Sequence, residues 1–369
     1  MRILYVVSRL DNTGLINQVY NLVLSLNTKE NEVHIMVLFQ ENGNSRKKDF
    51  EDLNVCIHYL NISKKSLFIT GIKKVMIIFD SIRPDIIHSE GLPADLITCL
   101  TKKNLNWVST IHNNMYVDYP LMFGNWMAPI WIKLHEMCIK NMDKVICCSE
   151  SISKIYSEHK FKVSYIQNGV DTKIYKLDTK KNKYELRSEL GLDSEKKIIT
   201  VVGSLDERKR TTFIIDSLGE FTNINDIIIL FLGKGPLEET CRRIAQNYNI
   251  VFMGQVESVI PYLHCADIYL SASASEGLPM SVIEAGCCGL PMILSDIPQH
   301  KELSVNKTIE GLEYFKLDDK QGLVEQIEKM MSNKKINCEL ISRHYETHFA
   351  AKEMAKKYIE QYCLLVKRE

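Results

Sequence analysis

Short apolar runs alternate along this chain with longer stretches of helical spacing. Ile3–Val7, Glu32–Leu38, Ile86–His88, Trp107–Ile111, Lys144–Cys148 and Val163–Ile166 read as buried strands. Between them, stretches such as Asn17–Leu26 and Lys73–Ile82 repeat apolar residues at helical spacing. Strands that are apolar almost throughout and separated by helices predict a parallel sheet covered on both faces. The pattern pauses in the polar, Lys-rich stretch Asn168–Ser194. It restarts with Lys197–Val202, Ile227–Leu232, Asn249–Met253, Ile268–Ser271 and Pro291–Leu294. The chain therefore divides into α/β units at 1–170 and 180–349, with a linker near 169–180 and a last helical pattern over Ala350–Lys367.

Composition narrows the classes. The 369 residues are 45% hydrophobic and 25% charged, the balance of a folded globular protein rather than a disordered, collagenous or coiled-coil one. Lys+Arg and Asp+Glu both number 46, which argues against a dedicated nucleic-acid binder. The 11 cysteines are scattered without a C-x-x-C, so zinc has no support and a reducing compartment does. The apolar run Ile3–Val7 is too short for a signal-peptide core, and no run approaches the ~18 residues of a spanning helix. A cytoplasmic protein is expected, possible contact with a membrane surface included.

The stretch Ser273–Ser295 carries the most chemistry. A strand runs into Glu276-Gly277-Leu278-Pro279, and a helix over Met280–Cys288 follows, closed by Gly289-Leu290-Pro291. The backbone N–H groups of Leu278, Pro279's successor Met280 and Ser281 then head a helix N-terminus, which favours a phosphate. Glu276 precedes that terminus. Glu284 lies four residues after Met280 on roughly the same face. Carboxylates so placed accept hydrogen bonds from ribose or sugar hydroxyls. Taken alone, the pair is more often a solvated glutamate and a helix-capping one.

Glu276-x7-Glu284, with EGLP before it and EA-x3-G-x-P after, resembles the donor motif of family-4 retaining glycosyltransferases of the GT-B fold. That resemblance implies two Rossmann-like doubly wound domains facing across a cleft, an acceptor-binding half at 1–170 and a nucleotide-sugar-binding half at 180–349. The last helix, 350–369, would pack back on the first half. VVGSLDERKR resembles the family's G-R-L-x3-K-G and puts Lys209 on the donor phosphates. Here the sequence departs: Ser204 stands for the usual arginine and Arg210 for the usual glycine, leaving Arg208 to supply the second cation. Gly233-Lys234-Gly235 resembles the family's G-x-G-P turn, and Gln255 and Val256 the loop beside the nucleotide base. Asp267 matches a position read as structural.

In the first half the resemblance gives Gly14 an approach to the donor, where the family usually has two adjacent glycines. His112, after VSTI, falls on the family's sugar-contacting histidine. Asn113 and Glu90, the latter read as just beyond a strand ending at His88, are weaker acceptor candidates, as is Glu150. Without the family, Gly14 is as readily a helix-leading turn capped by Thr13, and His112 a structural histidine.

The implied activity is metal-independent hexosyl transfer, with retention, from a nucleotide-diphosphate sugar to a glycan or polyprenyl-linked saccharide, as in O-antigen or capsule synthesis. His112, Lys209 and Glu276 would act at the reacting centre, and Glu276 would bind the sugar. No cofactor is expected beyond the sugar nucleotide, with UDP favoured over GDP. Lys64, Lys65, Lys73 and Lys74 beside apolar runs, and the aromatic-rich Met115–Ile132, suit peripheral contact with an anionic membrane. A lysine-edged core helix and an aromatic lid read as well there. The alternatives are a sugar-nucleotide epimerase and a non-catalytic partner subunit of the same fold. A dehydrogenase is disfavoured, since Val7–Gly14 lacks G-x-G-x-x-G.

Overall fold

The structure, a computed structural model, describes residues 1–367 apart from 28, 29, 42, 44, 179–181, 222–225, 306 and 334, and for Lys64 only the backbone. The ends of the expected linker (179, 180) and of the expected last helix (368, 369) lie outside the described residues. The chain forms two compact units: Met1–Gly169 with Ala351–Glu369, and Val170–Ala350.

The first unit is built on β1 (Arg2–Val7), β2 (Glu32–Phe39), β3 (Cys56–Ile62), β4 (Ile86–Glu90), β5 (Asn106–Ile111), β6 (Lys144–Cys147) and β7 (Ser164–Tyr165). They form a 7-stranded sheet in the order β3-β2-β1-β4-β5-β6-β7, and every pairing is parallel. The second unit uses β8 (Lys197–Val202), β9 (Ile227–Leu232), β10 (Ile250–Gly254), β11 (Ile268–Ser271), β12 (Met292–Ser295) and β13 (Leu312–Phe315). Its 6-stranded sheet, β10-β9-β8-β11-β12-β13, is also parallel throughout. Both sheets therefore reverse direction of growth once, between β1 and β4 and between β8 and β11. In such sheets ligands bind beyond the carboxyl ends of the strands at that switch point.

Central strands such as β1 and β9 are buried along nearly their whole length, because helices cover both faces. One face of the first sheet packs on the helix Gly14–Leu26 and on the last helix, Ala351–Val366, whose Met354, Tyr358 and Tyr362 sit in that core. The other face carries the helices Ile72–Ile82, Leu92–Thr101 and Met115–Asn141. Residues 170–178 belong to the second unit, where Val170 N–H donates to Phe349 O at 2.8 Å. Asp267 ties the base of the second sheet, accepting from Arg187 Nη2 at 2.7 Å and from Ile198 N–H at 2.9 Å.

Two edge strands go beyond the sequence reading: β3 and β13 carry polar residues among apolar ones. β4 also runs further than expected, ending at Glu90 rather than His88. The aromatic-rich stretch is a helix, Met115–Asn141, broken at Gly124, whose φ of 74° and ψ of 158° are non-helical.

Candidate functional site

In the second unit the loops after β8 and β11 meet at the switch point. Glu276 is buried, and its carboxylate holds Lys209 Nζ on Oε1 at 2.5 Å and Arg208 Nη1 on Oε2 at 2.8 Å. Burial by itself would raise the Glu276 pKa. The charges of Lys209 and Arg208 outweigh it and hold the carboxyl well below the usual carboxylate range. Arg208 Nη1 also donates to Ser275 O at 3.0 Å, and Ala274 N–H to Arg208 O at 2.9 Å, so the loops are fastened by backbone and side chain alike. Asp206 Oδ1 accepts the Lys209 N–H at 2.8 Å and shapes the turn that presents the lysine.

Pro279 precedes the helix Met280–Cys287, which begins without a side-chain cap. The first N–H groups of any helix lack intrahelical partners, so this terminus, next in sequence to Glu276, presents donors where the loops converge. Leu278, Met280 and Glu284 are buried, and Ser281 accepts the Tyr269 hydroxyl at 2.8 Å. Burial, with Glu276 and Glu284 nearby, pushes the Tyr269 pKa far up, so that hydroxyl stays protonated.

His300 joins this centre although nothing in the sequence singled it out. It is wholly buried, with Nε2 3.3 Å from Ser271 Oγ and Nδ1 3.0 Å from Ser295 Oγ. Burial pushes its pKa down to about 4, against the pull of the Glu276 charge. The signal was thin: a Pro-Gln-His turn after β12, with no spacing rule linking it to serines on β11 and β12.

One departure from the family pattern, Arg210, has a local explanation. Arg210 stands at φ 55°, in the left-handed region, which accounts for a glycine at that position in the pattern. Its guanidinium pairs with Asp318 and lies over the Phe213 ring, 4.4 Å from its centroid. The turn Gly233-Lys234-Gly235 is bound backbone to backbone against the β8 loop: Gly203 N–H donates to Leu232 O at 2.9 Å and Leu205 N–H to Lys234 O at 3.2 Å. A Cβ on Gly233 would lie 2.0 Å from Gly203 O, so only glycine fits there. Gln255 is exposed and Val256 half-buried in the loop after β10.

In the first unit, His112 Nε2 lies 2.6 Å from Glu90 Oε2. Glu90 is the last residue of β4 and fully buried, so its carboxylate faces inward and the imidazole, rather than water, is its neighbour. Burial raises the Glu90 pKa, and His112 opposes that shift. Behind the pair stands His88, 3.3 Å from Glu90 Oε1 and held by Thr110 Oγ1 at 2.8 Å and Tyr362 OH at 2.6 Å. Burial lowers the His88 pKa to about 3, so it is neutral. Tyr362 reaches Tyr5 OH at 2.9 Å, and Tyr358 reaches Thr110 Oγ1 at 2.9 Å, carrying this network into the last helix.

Three further predicted residues belong to the first unit. Gly14 heads the helix Gly14–Leu26, with Thr13 Oγ1 accepting from Ile16 N–H at 3.4 Å, and a Cβ there would meet nothing within 4 Å beyond its own helix and chain neighbours. Asn113 O accepts the Tyr156 hydroxyl at 3.2 Å. Glu150 begins a helix and pairs with Lys154 at 2.7 Å. Among the described residues, no group of three or more His, Cys, Asp and Glu side chains is placed to hold a metal ion.

Two doubly wound parallel sheets in one chain are the architecture of the GT-B class. Residues 13–174 match the family described as Glycosyltransferase Family 4, and residues 182–347 match Glycosyl transferases group 1. The chain belongs to the family-4 glycosyltransferases of GT-B fold. It is 26% identical over 375 residues to the O-antigen biosynthesis glycosyltransferase WclY of Escherichia coli, covering 98% of each chain. Over 210 residues, 54% of this chain and 52% of the relative, it is 27% identical to an Escherichia coli UDP-Gal:alpha-D-GlcNAc-diphosphoundecaprenol alpha-1,3-galactosyltransferase. Its fold is similar to that of sucrose-phosphate synthase from Thermosynechococcus elongatus, with a TM-score of 0.82, 17% identity and 100% coverage of both chains. It is also similar to that of Anabaena HepE, solved with UDP-glucose, with a TM-score of 0.82, 16% identity and coverage of 98% and 99%.

Proposed function

We propose that this glycosyltransferase moves a hexose, with retention of configuration and without a metal, from a nucleotide-diphosphate sugar to a hydroxyl of a glycan or polyprenyl-linked saccharide. UDP is favoured over GDP as the carrier, and no further cofactor takes part. The observation that carries the reading is the buried Glu276 between Lys209 and Arg208, at the switch point and one turn before an uncapped helix N-terminus. A nucleoside diphosphate leaving group gathers negative charge as the glycosidic bond breaks. Lys209, Arg208 and the backbone N–H groups of Leu278, Met280 and Ser281 are donors suited to that charge, and fixed donors of this kind usually supply the largest catalytic term.

In this scheme Glu284 accepts hydrogen bonds from the ribose hydroxyls and Glu276 from the transferred sugar. Gln255 and Val256 lie against the base, and Gly14 admits the donor to the first unit. Gly277 and Pro279 shape the loop. His112 contacts the sugar, and Asn113 belongs with the acceptor. No side chain is assigned as nucleophile: the departing phosphate takes the acceptor proton, as the family pattern implies. The relatives named for O-antigen synthesis and for a diphosphoundecaprenol-linked acceptor support surface-polysaccharide synthesis at the inner face of the cell membrane.

Thermal shift with UDP-, GDP-, ADP- and CMP-sugars tests the reading, with Glu284→Ala as control. The expected result is stabilisation by one nucleotide, lost in the variant, followed by metal-free transfer whose product keeps the donor's anomeric configuration by NMR. Stabilisation by none of them would overturn it.

A further inference from the structure

The helix Met115–Asn141 buries Met115, Cys138 and Ile139 in the core, but near its break at Gly124 it turns large apolar side chains outward. Part of its polar set bonds inward: Tyr119 OH lies 2.7 Å from His135 Nδ1, and His135 Nε2 lies 2.9 Å from Asp95 Oδ2 on the helix Leu92–Thr101. Tyr116 OH donates to Glu136 Oε1 at 2.9 Å. These bonds cross the break at Gly124, as does the contact of the Phe123 and Trp131 rings at 5.3 Å, so the arms before and after it are clamped together. Around the break, large apolar side chains point out. Trp126, two residues past the break, is 94% exposed, with Leu121 at 66%, Met122 at 65% and Ile130 at 52%. From Tyr119 to Ile132 the chain carries no charged side chain. Water is a poor surrounding for such a tip, and exposed apolar patches of this kind mark contact surfaces.

The charges around it specify the partner. Beyond Trp126 and Ile130, the same helical stripe continues with exposed Lys133 and Lys140. On the same face of the sheet, beyond the helix Leu92–Thr101, the segment 65–82 exposes Phe68, Ile69 and Ile77 together with Lys65, Lys73 and Lys74. Of the three acids in these stretches, Glu136 accepts from Tyr116, Asp80 pairs with Lys103 at 3.6 Å, and Asp118 is half-buried in the helix's first turn. An uncharged Trp-bearing tip rimmed by lysines complements an acyl boundary beneath anionic headgroups.

We infer that the Gly124 bend is a wedge that seats Trp126, Leu121 and Met122 in the interfacial region of an anionic lipid bilayer. The inference rests on the transfer reading only for its purpose, which is to hold the enzyme beside a lipid-linked acceptor. The wedge lies on the membrane and does not span it: no described helix is long and apolar enough to cross.

The test is flotation of the full chain with phosphatidylcholine vesicles, with and without phosphatidylglycerol, and quenching of tryptophan emission by brominated acyl chains. Native protein is expected to float with anionic vesicles and to be quenched, since Trp126 is open, Trp131 half-buried and Trp107 fully buried. Trp126→Ser with Leu121→Ser should cut the bound fraction at least tenfold and abolish the quenching. Lys65→Glu with Lys73→Glu should weaken binding to anionic vesicles alone. Circular dichroism and the nucleotide-induced thermal shift should be native in both variants. Absence of flotation by the native chain, or native flotation by the tryptophan–leucine variant, would overturn the inference. So would self-association that this variant abolishes without any vesicle binding, because a second copy would then cover the tip. Vesicle binding that persists when no nucleotide stabilises the protein supports the wedge and removes only the transfer reading.

Discussion

Glu90 and His112 meet at 2.6 Å, the carboxylate fully buried and the imidazole open to solvent by 13% of its side chain. The buried partner thus fixes which ring nitrogen faces inward, and the other nitrogen is left to face whatever occupies the sheet's edge. Glu90 is a positioning residue in this arrangement. Glu90→Gln keeps the shape but offers an N–H where a carboxylate oxygen stood. Turnover should fall roughly 100-fold with donor affinity unchanged, and the acidic limb of the kcat profile should move. Glu90→Asp should recover part of the rate. A loss confined to KM would mean that the pair serves binding alone.

Lys209 and Glu276 should show strong coupling in a double-mutant cycle. Removing the lysine leaves a buried carboxylate with Arg208 as its remaining ion-pair partner, and breaking a buried pair costs ~3 kcal/mol or more. Lys209→Met is therefore expected to lower stability by about that amount. Glu276→Gln should cost less, and the double variant less than the sum. Urea denaturation of the four proteins measures this. In turnover assays Lys209→Met should reduce kcat more than it weakens donor binding, if the lysine acts on developing charge.

His300 should make the second unit acid-sensitive. Its folded-state pKa is about 4, below the unfolded value of 6.5. Its contribution is complete above pH 6.5 and is lost as pH falls toward 4, because the unfolded chain binds the proton first. The loss over that window is roughly 3 kcal/mol. His300→Gln should flatten the stability profile between those limits. An unchanged slope would show that other groups set it.

Arg210 holds a left-handed backbone at φ 55°. Such a conformation costs about 1–2 kcal/mol for a residue with a side chain, offset here by the Asp318 pair and the Phe213 ring. Arg210→Gly should leave stability within about 0.5 kcal/mol, whereas Arg210→Val should lose ~1–2 kcal/mol, since branching at Cβ fits this region worst. Thermal denaturation distinguishes the variants.

The core strands were legible because covering a parallel sheet on both faces leaves an unbroken apolar run. β8, β9 and β11 occupy the residues their hydrophobicity predicts. β3 and β13 escaped for the converse reason: each edges its sheet and mixes polar with apolar positions. Glu276, Lys209 and Arg208 were legible through their motifs, and the structure gathers them on one carboxylate. The apolar run stops at His88, which leaves Ser89 and Glu90 beyond the strand in a reading of the sequence. Both are buried strand residues: Trp107 Nε1 donates to Ser89 Oγ at 2.6 Å, and His112 serves Glu90. Partners such as Trp107, His300 and Tyr362 come from distant parts of the chain, and no local pattern announces a hydrogen bond between strands or across a domain.

The hydroxyls of Tyr358 and Tyr362 complete the network around His88, yet they reside on the last helix, after the whole of Val170–Ala350. On the ribosome, the first unit thus cannot close its core until residues 351–366 have emerged, while the second, continuous in sequence, can finish earlier. The amino-terminal unit is the last to mature. A nascent chain released short by one helix would carry a folded carboxyl-terminal unit and an open amino-terminal one, with the face that Met354, Tyr358 and Tyr362 should cover left to chaperones or proteases.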